Sequence, residues 1–438
     1  MRARVAPLLI LAWLVGGAGC QRDPVGDGWA RFGLGDSAGA RTAFQELAGQ
    51  RETAGVGNAA LAELHLLMGE DADAEARYQA ARAADPANAD YVVGYGQALL
   101  RQDRTAEAYR AFLDALEVAD EGAHVARVAG LLGDAHKVTR LTRTSTDNYS
   151  PRFSPDGAHV FFTSHVDGNG DLVRLTLETR ELQRVTDTAT TNEYGANLSH
   201  DGARLLYSSV QHRTNAGLIT LQASGSATRS EVFLVRDLAT DEDRMLSPSP
   251  GPVANPLFSP DGTRILFEAI TDSNLDIWTM SDLGKDRVRL TTGEEDDGEP
   301  AYHPSGDRVV FVRTHDRNFE LMSMATDGTD LRQVTSTPYN EFGGAFSPDG
   351  KWYVYPVERG FATTELALME WSTRRVRTLS RVQGRCIQPS FSPDGTQVIF
   401  ASDRSDYLEL YLMDLTQPAK AETLRRLLRG RLRASSQQ

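Results

Sequence analysis

The sequence predicts a multidomain protein in which an all-α helical solenoid is followed by an all-β propeller with six blades. Two internal repeats of different length are the main evidence, because repeat length distinguishes these architectures. The first repeat recurs about every 34 residues and ends near residue 134. The second begins near residue 137 and recurs about every 45 residues. With 438 residues, the chain also exceeds the roughly 250 to 300 residues at which one core stops growing.

The helical region, residues 20–136, carries an Ala-x-x-x-aromatic motif three times in the same phase. Alanine lets paired helices approach closely, and the aromatic side chain fills the space between neighbouring pairs. The pattern resembles the tetratricopeptide repeat, with units at residues 21–54, 55–88 and 89–122 and a closing helix from Ala123 to Asp134. The three motifs are Ala40 with Phe44, Ala74 with Tyr78, and Ala108 with Phe112.

A tight turn, Phe-Ser-Pro-Asp-Gly or a variant of it, marks each unit of the second region, residues 137–416. Proline favours the second position of a type I turn, aspartate or serine suits the third, and glycine ends the turn without strain. Each turn precedes an apolar strand, then a strand opened by an acid, then a short fourth strand. Four strands per unit predict six propeller blades. The turns centre on Asp156, Asp201, Asp261, Ser305, Asp349 and Asp394.

The last blade lacks a fourth strand, because the chain runs from its third strand into a basic tail at residues 417–438. The sequence VTRLT at residues 138–142 has the form of a fourth strand and precedes the first blade. We therefore predict that this N-terminal strand completes the last blade and closes the ring, which removes exposed sheet edges.

These propeller motifs resemble those of TolB-like six-bladed propellers, which carry WD40-like repeats. The resemblance covers roughly residues 137–416 and also extends to the propellers of tricorn-type and prolyl-oligopeptidase-type peptidases. TolB is the periplasmic component of the Tol-Pal system, so the resemblance implies a role in the cell envelope. TolB carries a different α/β domain where this chain has helical repeats. Similarity of fold alone does not identify a partner.

The first 19 residues have the composition of an export signal, with two arginines followed by an apolar run and small residues. Gly17-Ala18-Gly19-Cys20 resembles the lipobox of bacterial lipoproteins, although Gly17 replaces the usual Leu, Val or Ile. We expect Cys20 to be lipidated and the protein to be anchored on the periplasmic side of the outer membrane. Cys386 then has no cysteine partner within the chain.

The formal net charge of −14 disfavours a nucleic-acid partner, because most of the surface would repel a phosphate backbone. The basic tail at residues 417–438 is the exception. Its leucines share one helical face, so we expect a short amphipathic helix. Packing of this helix on the acidic protein is favoured over contact with a membrane.

Three motifs typical of catalytic or metal sites have structural explanations. Ser37 lies in a G-x-S-x-G sequence, but this falls in an inter-helix turn of the first repeat. Asp167 to Asp171 resembles the start of a calcium loop, but Leu172 occupies the position that requires glycine. The histidines show no closely spaced metal-binding pair. The sequence therefore predicts no catalytic residue, no metal site and no cofactor.

The segments that lead into the first strands of four blades are acidic and aromatic at equivalent positions. Such segments gather around one mouth of a propeller channel, together with an insertion of about 15 residues in the second blade. We expect an acidic ring with aromatic neighbours that binds a basic, peptide-like partner or a cation. The alternative is a set of solvated loops. The candidate residues are Asp147, Asn148, Tyr149, Asn192, Glu193, Tyr194, Asp296, Asp297, Asn340, Glu341 and Phe342.

The sequence thus predicts an envelope lipoprotein that acts as a protein–protein interaction scaffold. Its two expected surfaces are a helical groove and the propeller face, and its expected partners are envelope proteins or peptides. Two alternatives use the central channel. One is an enzyme, either a hydrolase or similar to metal-dependent polysaccharide lyases, and the other is a sensor of a small ligand.

Overall fold

A computed structural model of the protein describes residues 23–166, 168–211, 231–246, 253–315, 318–360, 363–382 and 384–435. The export signal, Cys20, Asp167 and most of the second-blade insertion lie outside these residues. Within the described part of the chain, helices occupy the N-terminal third and strands the remainder, up to a final helix. The helical and propeller regions predicted from the two repeats are both present.

The helical region consists of three consecutive helix pairs and one closing helix. Each predicted repeat contains one pair, and the loops between pairs fall near the predicted repeat boundaries. The helices are α1 (Pro24–Gly33), α2 (Ser37–Ala48), α3 (Ala54–Leu67), α4 (Asp71–Ala84), α5 (Ala89–Arg101), α6 (Thr105–Val118) and α7 (Ala123–Leu132).

Small residues in the first helices make room for the repeated aromatic residues of the second helices. A Cβ atom on Gly28 would lie 2.2 Å from Phe44 Cε1, and one on Gly96 would lie 2.5 Å from Phe112 Cε1. Because real Cβ contacts are never this short, alanine at either position would displace a buried ring. The repeated aromatics are therefore the centre of the helical core, where Phe44 and Phe112 are fully buried.

The propeller contains six sheets, one for each predicted turn. Blade one contains β2 (Asn148–Phe153), β3 (His159–Ser164), β4 (Asp171–Thr176) and β5 (Leu182–Arg184). Blade two contains β6 (Thr191–Leu198), β7 (Arg204–Gln211), β8 (Glu231–Asp237) and β9 (Asp243–Met245). Blade three contains β10 (Val253–Phe258), β11 (Arg264–Thr271), β12 (Asn274–Ser281) and β13 (Val288–Arg289).

Blades four to six have the same strand order, except that two short strands replace the first strand of blade five. Blade four contains β14 (Asp297–Tyr302), β15 (Arg308–His315), β16 (Asn318–Ala325) and β17 (Arg332–Gln333). Blade five contains β18 (Asn340–Glu341), β19 (Ala345–Phe346), β20 (Trp352–Gly360), β21 (Thr363–Glu370) and β22 (Val376–Ser380). Blade six contains β23 (Cys386–Phe391), β24 (Gln397–Ser405) and β25 (Tyr407–Pro418), and its fourth strand is β1 (His136–Arg140).

The predicted closure of the ring is confirmed, because β1 pairs with β25 in antiparallel register. Val138 lies opposite Met413 and Arg140 opposite Tyr411. An ion pair of 2.9 Å between Arg140 and Glu409 strengthens the join. The first and last strands of the propeller are thus held in one sheet.

The turns between first and second strands are built by local hydrogen bonds. In blade one, the Gly157 N–H donates to the Ser154 carbonyl at 2.9 Å, and Gly157 has a φ of 70°. The Asp156 carboxylate accepts hydrogen bonds from the Ser154 hydroxyl and from the Ala158 N–H at 2.9 Å. The predicted turn chemistry is therefore correct, and glycine is required because the left-handed backbone is costly for other residues.

The acidic residue near the start of the third strand of a blade also has a structural role. The Asp171 carboxylate, which is 5% exposed, accepts a hydrogen bond from the Thr188 N–H at 3.2 Å. Beside it, the Leu172 N–H donates to the Thr186 hydroxyl at 2.8 Å. Glu320 with Thr337 repeats the first contact at 3.0 Å. In blades one and four, the acid and the threonine thus anchor the segment that leaves the blade, as expected of turn chemistry.

The basic tail forms α8 (Ala421–Ser435), which returns to the helical region. Leu424 and Leu428 are buried in one cluster with residues of α5, α6 and α7. Arg425 forms an ion pair with Asp120 at 2.5 Å. The tail therefore packs on its own acidic protein, the interpretation that the sequence favoured. Among the described helices, none combines the length and apolar character needed to cross a membrane.

Candidate binding site at the upper mouth of the propeller

We define the upper mouth as the end of the channel where the chain enters the first strand of each blade. The lower mouth is the opposite end, where the six turns between first and second strands lie. The candidate residues from the sequence are near the upper mouth, at three consecutive register positions of the first strands. These three positions have different environments.

Residues at the earliest position join neighbouring blades. The Asp147 carboxylate accepts a hydrogen bond of 3.0 Å from the Leu408 N–H in blade six. The Asp296 carboxylate accepts one of 2.8 Å from the Leu275 N–H in blade three. The side-chain oxygens of Asn192 and Asn340 make the equivalent contacts, at 2.7 Å and 3.1 Å, with the N–H groups of Gly170 and Phe319. We call these four residues, Asp147, Asn192, Asp296 and Asn340, the blade staples.

Residues at the middle position are buried, which corrects the expectation of a solvent-facing acidic ring. Glu193, Asp297 and Glu341 are each 1% exposed, and Asn148 is fully buried. A buried carboxylate requires hydrogen bonds or a counter-ion, and the neighbouring strands supply them. Both oxygens of Asp297 accept hydrogen bonds from Arg313, at 2.7 Å and 2.8 Å.

The other buried side chains at the middle position have partners other than an arginine. Glu193 accepts hydrogen bonds from the hydroxyls of Thr188 at 2.7 Å and Ser209 at 3.1 Å. The Asn148 amide donates to Glu409 of blade six at 3.1 Å. The sequence pattern could not show this burial, because the partners lie on other strands and loops that only the fold brings together.

Burial changes the acidity of these groups. Desolvation raises the pKa of Asp297 above its usual range, although the Arg313 guanidinium acts in the opposite direction. Desolvation and the neighbouring carboxyl of Glu320 raise the pKa of Glu341 well above its ordinary value. Burial therefore favours the neutral forms of Asp297 and Glu341 more than exposure to solvent would.

Aromatic residues occupy the third position in blades one, two and five, and each is half-buried: Tyr149, Tyr194 and Phe342. The Tyr149 hydroxyl lies 3.1 Å from His165 Nε2, and the two rings stack at 5.6 Å. The Tyr194 hydroxyl donates to Glu231 at 2.9 Å. We call Tyr149, Tyr194 and Phe342 the aromatic set, and they are the partly exposed aromatic residues of the candidate face.

Smaller side chains occupy the same position in blades three and four, and two glutamates lie beside them. Ala254 and Gly298 replace the aromatic residues. Next to them, Glu268 is fully buried and accepts a hydrogen bond of 2.8 Å from Asn255. Desolvation raises the pKa of Glu268 to about 7. Glu299 is exposed to solvent and accepts a hydrogen bond from the Gly343 N–H of blade five.

Sequence reasoning missed Glu268 and Glu299. Both differ from the residues at the same register in other blades, and such departures from the repeat are the signal that could have found them. Glu299 occupies the left-handed position of the inner strand with a φ of 52°, where blades one and three have Ser150 and Asn255. The upper mouth therefore has an aromatic side and an acidic side.

The other motifs from the sequence lie away from this mouth. Ser37 is the first residue of α2, next to the helix cap Asp36. Among the described residues, one group of possible metal ligands lies within 4.8 Å of one another, His65, Glu70 and Asp73. Glu70 already pairs there with Arg41 at 3.3 Å. These contacts join α2, α3 and α4 and have a structural explanation.

The expected helical groove faces the propeller of the same chain. The α7 helix contacts β22, and the Ala135 N–H donates to the Leu379 carbonyl at 2.7 Å. Arg375 of blade five pairs with Glu63 on α3 at 3.1 Å, and its guanidinium lies 5.8 Å from the Trp29 ring centroid on α1. Helices α1, α3 and α7 therefore contact blade five of the same chain at these points.

Residues 223–380 match the family model described as the TolB β-propeller domain. A curated relative, the TolB homologue of Chlorobium luteolum, is 26% identical over 157 residues. This alignment covers 36% of the present chain and 31% of the relative, so the match spans about a third of the relative's length.

Solved structures with a similar arrangement include TolB from Acinetobacter baumannii and an oligogalacturonate lyase from Vibrio parahaemolyticus. The first is 18% identical with a TM-score of 0.48, over 57% of this chain and 58% of that chain. The second is 18% identical with a TM-score of 0.46, over 64% of this chain and 95% of that chain. The residues that match the family model for the TolB β-propeller domain thus lie within the six-bladed propeller of this chain, which a helical region precedes.

Proposed function

We propose that the protein is an exported, lipid-anchored scaffold of the cell envelope that binds a protein partner at the upper mouth of its propeller. The anchor in this proposal is Cys20, and the envelope location follows from the export signal and from the TolB-type domain. The single observation that carries the binding proposal is the aromatic set. Aromatic side chains that remain accessible at a channel mouth are typical of protein interfaces.

The arrangement of side chains at the mouth favours the binding of an extended segment of the partner. Tyr149, Tyr194 and Phe342 line three of the six blades, whereas the smaller residues Ala254 and Gly298 occupy the same position in blades three and four. Apolar or aromatic side chains of the partner would pack on the first group. The side chains on the two sides of the mouth differ in size and chemistry, so an extended segment would bind in one orientation.

Charge supports a basic residue in that segment. Glu299 is exposed, and Glu268 lies next to it in the same wall. Desolvation raises the pKa of the Glu268 carboxyl to about 7, so a cation close to this wall would favour its ionised form. A lysine or arginine of the partner would therefore bind on the side of blades three and four. Glu299 would contact the cation directly, whereas Glu268, like Glu193, Asp297 and Glu341, is buried.

We propose binding rather than catalysis. A carboxyl group with a pKa near neutrality could act as a general acid or base, and Glu268 meets that condition. However, its described hydrogen-bond partners are the Asn255 amide and the Glu299 N–H, which supply neither a nucleophile nor a metal ligand set. The partner class that the mouth fits best is a protein segment.

The test is capture of partners from solubilised native envelopes by the wild-type protein and by Tyr149→Ser with Phe342→Ser. We expect proteins captured by the wild type to be lost from this variant. The matched control is Leu182→Ser with Met245→Ser, which removes apolar side chains that are 46% and 61% exposed on outer blade edges. Melting curves establish that each variant is folded. Equal capture by the aromatic variant and the control would contradict the proposal.

A further inference from the structure

The lower mouth holds a pocket that the proposed function does not use. It lies between blades one, two, five and six and has a volume of about 590 Å³, open solvent included. Its walls are the ends of the first strands and the turns that follow them. Apolar residues such as Phe153, Phe346 and Phe391 line it, together with Asn197, Ser390 and the guanidinium-bearing Arg152.

Arg152 is an exception within the repeat. Register pairing places Arg152 at the same position as Asn197, Leu257, Ala301, Ala345 and Ser390 in the other five blades. All five are uncharged, so the architecture of a blade does not require a cation here. A residue that the repeat does not explain calls for an explanation specific to this pocket.

Arg152 also differs from several partly buried arginines of the propeller. Arg313, Arg289 and Arg359 pair with carboxylates at 2.7 Å, 2.6 Å and 2.9 Å. Within the described part of the chain, Arg152 has no carboxylate at ion-pair distance, and its recorded hydrogen bond is to the neighbouring Pro151 carbonyl at 3.0 Å. An enclosed cation without a counter-ion is costly.

The surroundings of Arg152 increase this cost and define what would relieve it. Enclosure by the blades lowers the pKa of Arg152 through desolvation, with the Tyr353 hydroxyl acting in the opposite direction. The nearby Asp156 does not neutralise it, because that carboxylate is 66% exposed and is bound by its own turn. An anion in the pocket would supply the missing counter-ion.

We propose that this pocket binds a small organic carboxylate with an apolar body. The carboxylate would accept hydrogen bonds from the Arg152 guanidinium, which presents a planar set of donors suited to this group. The Asn197 amide and the Ser390 hydroxyl lie in the same wall. The apolar body would pack against Phe346 and Phe391. This inference is independent of the upper mouth and of its protein partner.

The experiment measures the binding of benzoate to the purified protein by calorimetry, with benzamide and inorganic phosphate as comparison probes. We expect saturable binding of benzoate and none of the uncharged benzamide. Arg152→Met should weaken benzoate binding about tenfold or more, since the hydrogen bonds lost are to a charged group. Lys351→Met is the matched control, because Lys351 pairs with Asp349 at 3.1 Å at the same mouth but outside the pocket.

If Arg152→Met does not fold, a second variant still tests the proposal. Ala345→Leu fills the pocket from blade five without changing any charge, and it should also abolish benzoate binding. The proposal is overturned if the wild type does not bind benzoate saturably, or if Arg152→Met binds it as well as Lys351→Met. Equal binding of benzamide, or binding of phosphate in place of benzoate, would overturn the organic carboxylate as the ligand class.

Discussion

The two ends of the propeller use the same polar residue types in opposite ways. At the lower mouth, Ser154 and Asp156 form a turn whose hydrogen bonds stay within a few residues, and the carboxylate is 66% exposed. At the upper mouth, Glu193 and Glu341 are 1% exposed and their partners are hydroxyls of neighbouring segments. Acidic residues therefore shape exposed turns at one end and are buried among hydroxyl donors at the other.

This difference shows why residue type alone does not locate a binding face. A repeated acid near a channel mouth has the same appearance in the sequence whether it faces solvent or joins two blades. At the upper mouth, burial removes most of the acids from the surface and leaves the aromatic set accessible. Replacing acidic residues with lysine at each end of the propeller tests this difference.

The largest effect is expected for Glu193→Lys combined with Glu341→Lys. Each change places a cation in a site built from hydroxyl donors, and each should cost about 3 kcal/mol or more of unfolding free energy. Urea denaturation followed by far-ultraviolet circular dichroism measures the loss.

The matched control places the same charges at the lower end, as Asp349→Lys with Asp394→Lys. Both carboxylates belong to solvent-exposed turns, and we expect a much smaller loss of stability. An equal loss in the two double variants would remove the distinction between the ends of the propeller.

A smaller effect is expected from removing one blade staple. Asn192→Ala deletes the acceptor for the Gly170 N–H and leaves that donor unpaired between blades one and two. The cost should be about 1 to 2 kcal/mol of unfolding free energy, the range for an unsatisfied buried donor. Asn192→Asp keeps an acceptor oxygen and should retain most of the stability. If alanine and aspartate at this position were equivalent, the hydrogen bond between blades would have no role.

The elements that the sequence predicted correctly are those with local causes. The turn around Asp156 needs only its own residues, so its repeat located all six blades. Closure by β1 followed from the missing fourth strand. Burial of Glu193 and Asp297 was not predictable, because Ser209 and Arg313, which bind them, lie on other strands. The contact of blade five with the helical region, such as the pair of Arg375 with Glu63, was not predictable because it joins distant parts of the chain.

The pH dependence of stability also distinguishes the two ends of the propeller, and we begin with the upper end. The folded state raises the pKa of Glu341 above its unfolded value of 4.5, through desolvation and the neighbouring Glu320. The folded state therefore binds the proton more tightly, and stability declines as pH rises above this value. Glu341→Gln should remove this decline, so that its melting temperature exceeds that of the wild type increasingly as the pH is raised. A constant difference between the two proteins at all pH values would contradict this assignment.

The opposite sign is expected at the lower end, with the smallest effect. The Ser392 hydroxyl is the main cause that lowers the pKa of Asp394 below its unfolded value of 3.8. This contribution to stability is present above that value and is lost as pH falls through the folded pKa. Asp394→Asn should therefore reduce the sensitivity of the melting temperature to acid. An unchanged acid response would indicate that the turn carboxylate does not contribute to stability.

Carboxyl footprinting tests the central claim most directly, namely that the upper acids are internal contacts and the accessible surface there is aromatic. The folded protein is treated with a carbodiimide and an amine, and labelled carboxyls are identified by mass spectrometry. We predict labelling of Asp156, Asp349 and Asp394, and protection of Glu193 and Glu341 until urea unfolds the protein. Rapid labelling of Glu193 and Glu341 in the folded state would contradict the account and restore an acidic ring as the binding face.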